Sequence, residues 1–224
     1  LGGVAVPVEV PAVAAALDGI TCDLLAWFIN AFPRSGNVKD DFAYYDRAAA
    51  LRSPGAGHLL ALDWWNGCRV PFGDSTLSGL LVGMNMRTTA VDIYRALMES
   101  ICFGARTIVD LLASSGSPIE RVVLTGGLAQ KNDVLMQMLA DILGCSLEIP
   151  RLTHPTAIGA AIHGAVAAGI VANYSDGAGR FGATDYRVVE PTTGVFPIYD
   201  ERYRRYREMS DNSSVRNVMH ALNK

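Results

Sequence analysis

The stretch Val122–Gly144, VVLTGGLAQKNDVLMQMLADILG, passes from an apolar run through two glycines and a polar patch into a helical pattern. Its reading decides the fold. Residues 121–125 have the composition of a buried strand, and Asn132 is placed to cap a helix. Val134, Leu135, Met138, Leu139, Ile142 and Leu143 then recur on one helical face until Gly144 ends it. Between strand and helix stand Gly126 and Gly127. Bare backbone there lets a ligand's phosphate or ribose approach the amides, or it merely supplies the positive φ of a tight turn. A lone Gly-Gly leaves these two readings even. No G-x-x-x-x-G-K-[ST] occurs anywhere in the chain, and this corner is not a G-x-G-x-x-G pattern.

Outward from that corner, strands and helices alternate. Asp23–Phe32 and Lys39–Arg52 are predicted helices, and His58–Leu62 and Gly79–Asn85 predicted strands. Thr89-Ala90-Val91-Asp92 has the form of a capping box opening a long helix that halts at Ser115-Gly116. Gly104 sits in the middle of that helix, where glycine costs about 1 kcal/mol relative to alanine, so another backbone is expected to pass close by. Ser146–Ile149 is a further strand. The small-residue segment from Thr156 is expected to be a helix packed tightly on nearly every side. Tyr174–Thr193 reads as loop, and YDERYRRYREM as a charged last helix with its arginines on a solvated face. Alternation of this kind favours an α/β sheet covered by helices.

Composition bounds the function. The chain has 224 residues, 50% of them hydrophobic and 18% charged, with a formal net charge of −3, so nothing draws it to nucleic acid or an anionic membrane. Ala157–Ala172, its most apolar later stretch, is too short to cross a bilayer. The N-terminal residues lack the charged start of a signal peptide. Cys22, Cys68, Cys102 and Cys145 are scattered, which fits buried thiols in a reducing cytoplasm rather than a zinc or disulfide framework. His58, His154, His163 and His220 show no metal-ligand spacing, and no Ser-His-Asp set is proposed. One other stretch concentrates polar groups at a strand end, Asp63 to Asp74, where Asp63, Asn66, Gly67, Arg69 and Asp74 are equally consistent with a site or a surface turn. Of Trp64 and Trp65, which could stack on a base or sugar, at least one is expected in the core.

Three stretches together resemble a known family. Gly79–Glu99, GLLVGMNMRTTAVDIYRALME, resembles the C-terminal signature of the FGGY carbohydrate kinases in its Gly83, its Asp92-Ile93 and its Ala96-Leu97-Met98-Glu99. LTGGLAQKNDVLMQMLADILG resembles that family's adenosine-binding strand-turn-helix, and AIGAAIHGAVAAG the helix after it. LDWWNGCRVP and YDERYRRYREM look most like the members that act on L-ribulose. The resemblance covers roughly residues 22–209, leaving 1–21 as a divergent N-terminal segment and 210–224 as a C-terminal tail.

What this resemblance implies is an actin-like ATPase (ribonuclease H-like) domain, a mixed sheet with helices on both faces. It also implies a role in arabinose catabolism as the C-terminal half of an ATP-dependent kinase that phosphorylates L-ribulose, or a similar ketopentose, at a primary hydroxyl. D-ribulose, xylulose or glycerol are alternative substrates, and an inactive nucleotide-binding or assembly module is the alternative role. ATP, Mg²⁺ and a sugar are the expected ligands, and a homo-oligomer is possible. By carry-over Gly126 and Gly127 approach the ribose and α-phosphate, Lys131 or Asn132 lies by the adenine, and Asn66-Gly67 borders the outer phosphates. No catalytic or metal-ligating residue is expected here, because the family's base and its Gly-Thr-rich loop belong to an N-terminal kinase domain that this sequence lacks; alone, the chain is expected to be inactive. Ala15–Gly19 stands where those members carry a segment like Glu-Ala-Gly-Gln-Ser facing the sugar.

Overall fold

A computed structural model describes residues 12–13, 20–116, 119, 121–152 and 154–223. Ala15–Gly19, and with it the comparison to the sugar-facing segment, lies outside the described residues.

The central strand, β4 (Arg121–Val123), pairs in parallel with β1 (Ala12–Val13) on one side and with β5 (Leu147–Pro150) on the other, and β6 (Tyr186–Val189) adds antiparallel to β5. Val122 faces Leu147, and Leu147 faces Val189, so three apolar side chains meet across the sheet. A separate antiparallel pair joins β2 (Leu60–Leu62) to β3 (Leu80–Val82), with Ala61 opposite Leu81. The sheet is thus mixed, as the α/β expectation requires.

Five helices supply most of the helical core, α1 (Ile20–Ala31), α2 (Val38–Ala50), α3 (Ala90–Ser114), α5 (Asp133–Leu143) and α8 (Phe196–Ser210). Phe28, Tyr94, Leu97, Phe103, Leu135, Ile142 and Tyr199 are among their buried side chains. The Thr89 capping box forms, with the Thr89 hydroxyl accepting from the Asp92 amide while the Asp92 carboxylate accepts from the Thr89 amide. Asn132 caps α5 by accepting from the Leu135 amide at 2.8 Å, and Gly144 ends that helix at φ 68°.

The remaining helices are α4 (Gly127–Lys131), α6 (Pro155–Ala167), α7 (Tyr174–Phe181) and α9 (Ser213–Leu222). Several expectations change here. Tyr174–Thr193 is not loop: Asn173 accepts from the Asp176 amide to start α7, and β6 follows as the sheet's last strand. Packing of α6 on every side is also overturned, since Ile162 is its one buried residue among those described and Gly159 and Gly164 face open space. Small residues gave no apolar bulk to bury, so α6 rests on α7 by one face.

Gly104 makes room for a side chain rather than a backbone. A Cβ there would collide with Asp63 Oδ2. The arginines of α8 divide likewise: Arg204, Arg205 and Arg207 form exposed ion pairs, but Arg202 turns inward. Cys68, Cys102 and Cys145 are free thiols, the first two buried. Trp64 is a core residue, while Trp65 lies over Gly79 and beside Trp27, ring centroids 5.6 Å apart.

Candidate nucleotide cleft

The corner after β4 is open. Leu124 extends the ladder by donating to the Glu148 carbonyl at 2.9 Å, and the chain then turns through Gly126 at φ 105°, a conformation that side-chain-bearing residues rarely adopt. A Cβ on either Gly126 or Gly127 would meet nothing within 4 Å. Beside them lies a cleft of about 940 Å³, lined by both glycines, Gln130, Lys131, Arg151, Leu152, His154 and, from the start of α6, Pro155, Thr156, Ala157 and Ala160. That volume lies near the top of the roughly 300–1,000 Å³ range of small-molecule sites.

Each wall has a local cause. Gln130 donates to the Pro150 carbonyl at 2.7 Å, and Arg187 donates to the Ala129 carbonyl at 2.8 Å, so the short α4 is tied to the strands beneath it. The opposite wall starts where β5 ends: His154 adopts φ 56° and caps α6, with Pro155 in the helix's first turn. Because β4 and β5 are parallel neighbours, their carboxyl ends open on the same edge of the sheet, the position where α/β sheets build their crevices. Positive charge comes from Lys131, which has no ion-pair or hydrogen-bond partner among the described residues, and from Arg151, whose exposed pair with Asp185 spans 3.5 Å. A long, loosely held pair of exposed groups neutralises little of the field.

The six residues singled out from the sequence therefore separate. Gly126, Gly127 and Lys131 line one cleft. Asn132 is 6% exposed, and its side chain both caps α5 and donates to Asp46 Oδ1 at 3.1 Å, so its functional groups are already engaged. Asn66 is exposed on a different loop and is not part of the cleft wall. Gly67 beside it has φ 79°, and a Cβ there would stand 2.6 Å from the Ser75 Cα, so this glycine permits a closed turn. Gln130, Arg151 and His154 were not anticipated; the signal for Arg151 and His154 was their place directly after a strand parallel to β4.

The loop that carries Asn66 is stitched at both ends. Asp63 accepts from the Tyr206 hydroxyl at 2.8 Å, and burial nevertheless pushes its carboxyl up to about 6. Cys68 and Asp74 exchange backbone hydrogen bonds of 2.8 Å each. Asp74 also accepts from the Thr76 hydroxyl and amide, which with His220 hold its carboxyl down at about 2.

Elsewhere the helices enclose a buried charge node. Arg95 donates to Glu99 at 3.0 Å and to the Tyr199 hydroxyl at 3.0 Å; Arg202 donates to Glu99 at 2.7 Å and to the Gly57 and Leu59 carbonyls at 2.9 and 2.6 Å. Glu99 is 3% exposed and Arg95 6%. One carboxylate thereby ties α3, α8 and the approach to β2 together.

Comparison with known proteins gives the family and the fold. Residues 7–168 match the FGGY family of carbohydrate kinases, C-terminal domain. The chain is 35% identical over 201 residues to a protein named ribulokinase from Anoxybacillus flavithermus, covering 84% of this chain and 36% of that protein. Among solved structures, it superposes on a xylulose kinase from Rhodospirillum rubrum with TM-score 0.72 and 24% identity, covering 90% of this chain and 39% of the other. A glycerol kinase from Plasmodium falciparum, solved with ADP, gives TM-score 0.64 and 21% identity over 85% of this chain and 36% of its own. The fold is that of the FGGY sugar kinases, an actin-like ATPase domain. The chain spans little more than a third of the length of these relatives.

Proposed function

The chain belongs to the FGGY family of carbohydrate kinases, and on that premise we propose that it is the nucleotide-binding half of an ATP-dependent kinase for L-ribulose or a similar ketopentose. The observation that carries this reading is the unfilled space at Gly126 and Gly127, opening on a cleft of about 940 Å³. Bare backbone at that corner takes the ribose and α-phosphate. Lys131 contributes positive charge at the rim, and the small side chains of Thr156, Ala157 and Ala160 leave room for the base. Asn132 acts from below by holding the start of α5. The Asn66 loop borders the outer phosphates.

The reaction is in-line transfer of the γ-phosphoryl group to a primary hydroxyl, and it depends on positioning and charge neutralisation more than on covalent chemistry. Mg²⁺ enters with the nucleotide's phosphates. Among the described residues no cluster of three His, Cys, Asp or Glu side chains is arranged to hold a metal, so none is assigned to it. The base that accepts the sugar's proton, and the loop that grips the terminal phosphates, are assigned to a second domain outside this sequence. Closure of that domain excludes water from the transferring group.

Titration of the isolated chain with ATP and Mg²⁺ tests the reading. Saturable binding is expected for the wild type, and Gly127→Val should weaken it at least tenfold while the circular dichroism spectrum and melting temperature stay close to wild type. Gly127 is the cleaner probe, because Gly126 has positive φ and a substitution there strains the backbone directly. No binding at millimolar ATP, or unchanged affinity in the variant, would return the glycines to the turn reading. A panel of ketopentoses, xylulose and glycerol assayed with the two-domain enzyme identifies the acceptor.

A further inference from the structure

The last described helix, α9, holds the Asn66 loop from outside the segment that matches the kinase family, which ends at residue 168. His220 Nε2 lies 2.7 Å from Asp74 Oδ2, Asn223 donates to the Thr76 carbonyl at 2.6 Å, and the Arg216 guanidinium stands 4.5 Å over the Phe72 ring. Met219 anchors the helix, 4% exposed within the core cluster, and Arg216 donates back to the Ser210 carbonyl at 2.6 Å. Two side chains of this helix, Arg216 and His220, and its C-cap Asn223 thus grip three positions, Phe72, Asp74 and Thr76, on the descending side of one loop. The other end of that loop is gripped by the preceding helix through Tyr206 and Asp63.

A surface helix needs only its apolar face to stay docked. Polar contacts that converge on one loop do something else: they remove that loop's freedom to move. Between its two grips the loop makes a closed turn, with Gly67, Cys68, Gly73 and Asp74 amides donating within it to Trp64, Asp74, Arg69 and Cys68 carbonyls. Asn66 is left exposed at its edge.

We propose that α9 is a positioning element for the loop 63–76, with His220 and Asn223 as positioning residues that fix where Asn66 stands and so set affinity for the outer phosphates of a bound nucleotide. The second half of that statement rests on the nucleotide reading given above; the first half does not.

Two measurements on the intact chain separate them. Amide hydrogen exchange in the double variant His220→Ala/Asn223→Ala should speed up about tenfold at Gly67, Cys68, Gly73 and Asp74, while amides of α3 keep their protection. Affinity should then fall about fivefold for ATP with Mg²⁺, the scale of one lost hydrogen bond, but stay unchanged for AMP, which has no outer phosphates. His220→Gln, which keeps a donor for Asp74, should restore most of the ATP affinity to the Asn223 wild-type background. Equal losses for ATP and AMP would show a merely structural helix and overturn the proposal, as would loop amides that exchange at wild-type rates. Loosened amides with an unchanged ATP-to-AMP ratio would also overturn the positioning role. If wild-type chain binds no ATP, the nucleotide reading falls, and the exchange rates still decide whether α9 fixes the loop.

Discussion

Two glycines, Gly104 and Gly127, sit in similar sequence surroundings, each at or in a helix with apolar neighbours, yet the space beside them is used in opposite ways. Beside Gly104 the missing methyl is replaced by the Asp63 carboxylate, which itself accepts from Tyr206. Beside Gly127 it is replaced by nothing within 4 Å. The first glycine lets the protein touch itself, and the second keeps the protein away. A residue type common to both positions therefore says little until the occupant of the space is known.

The sharpest way to break the comparison is on the filled side, at the node that shares α3 with Gly104. Glu99→Ala leaves the Arg95 and Arg202 guanidinia buried without their carboxylate, and a stability loss of about 3–5 kcal/mol is expected in urea unfolding. Folded protein that survives the change should bind ATP as before, because Glu99 does not line the cleft. Next comes Gly104→Ala, whose methyl displaces Asp63; overpacking of this kind costs about 1–3 kcal/mol, read from the same unfolding curves. An equally stable variant would mean that Asp63 swings clear without loss.

On the open side, Asn132→Ala and Lys131→Ala form a pair that sharpens the assignment between adjacent residues. Removing Asn132 deletes a helix cap and the bond to Asp46, with about 0.5–2 kcal/mol of stability expected to go. Removing Lys131 should leave the melting temperature unchanged and weaken ATP binding about threefold, the effect of one exposed charge. Reversal of these two results would place Asn132, not Lys131, at the ligand.

The smallest expected effect is in pH dependence. Asp63 titrates at about 6 in the folded chain, above the ordinary aspartate value of 3.8. The folded state therefore holds that proton more tightly than the unfolded state. Its contribution to stability is complete below about pH 4 and is lost as pH rises through about 6. Asp63→Asn keeps an acceptor for Tyr206 and should flatten the stability profile across that window, measured as melting temperature from pH 4 to 7.

How far the sequence revealed all this depends on whether a feature is local. The capping box at Thr89, the Asn132 cap and the Gly144 stop are written in adjacent residues, and each is present in the structure. The positions of β2, β3, β4 and β5 were legible too, within two or three residues, whereas β1 was not anticipated. The α7–β6 segment was not, because its glycines and polar residues mask a helix whose support comes from α6. Arg202 was indistinguishable from its neighbours in a row of arginines, and only the fold shows it facing Glu99. For the candidate site, the glycine corner was legible while its opposite wall was not, since that wall is contributed by the end of another strand. The signature residues Gly83, Asp92 and Glu99, which carried the family resemblance, turn out to be structural: Gly83 lies against the His58 carbonyl, Asp92 completes a cap and Glu99 joins the buried node.

That node spans the chain in time as well as in space. Glu99 is translated about a hundred residues before Arg202, and the Gly57 and Leu59 carbonyls still earlier. At a synthesis rate of roughly 5–20 residues per second, the carboxylate waits about 5–20 seconds for its second guanidinium. A product that stops before α8 keeps Arg95 beside Glu99 but leaves the Gly57 and Leu59 carbonyls without the guanidinium that joins them to α3.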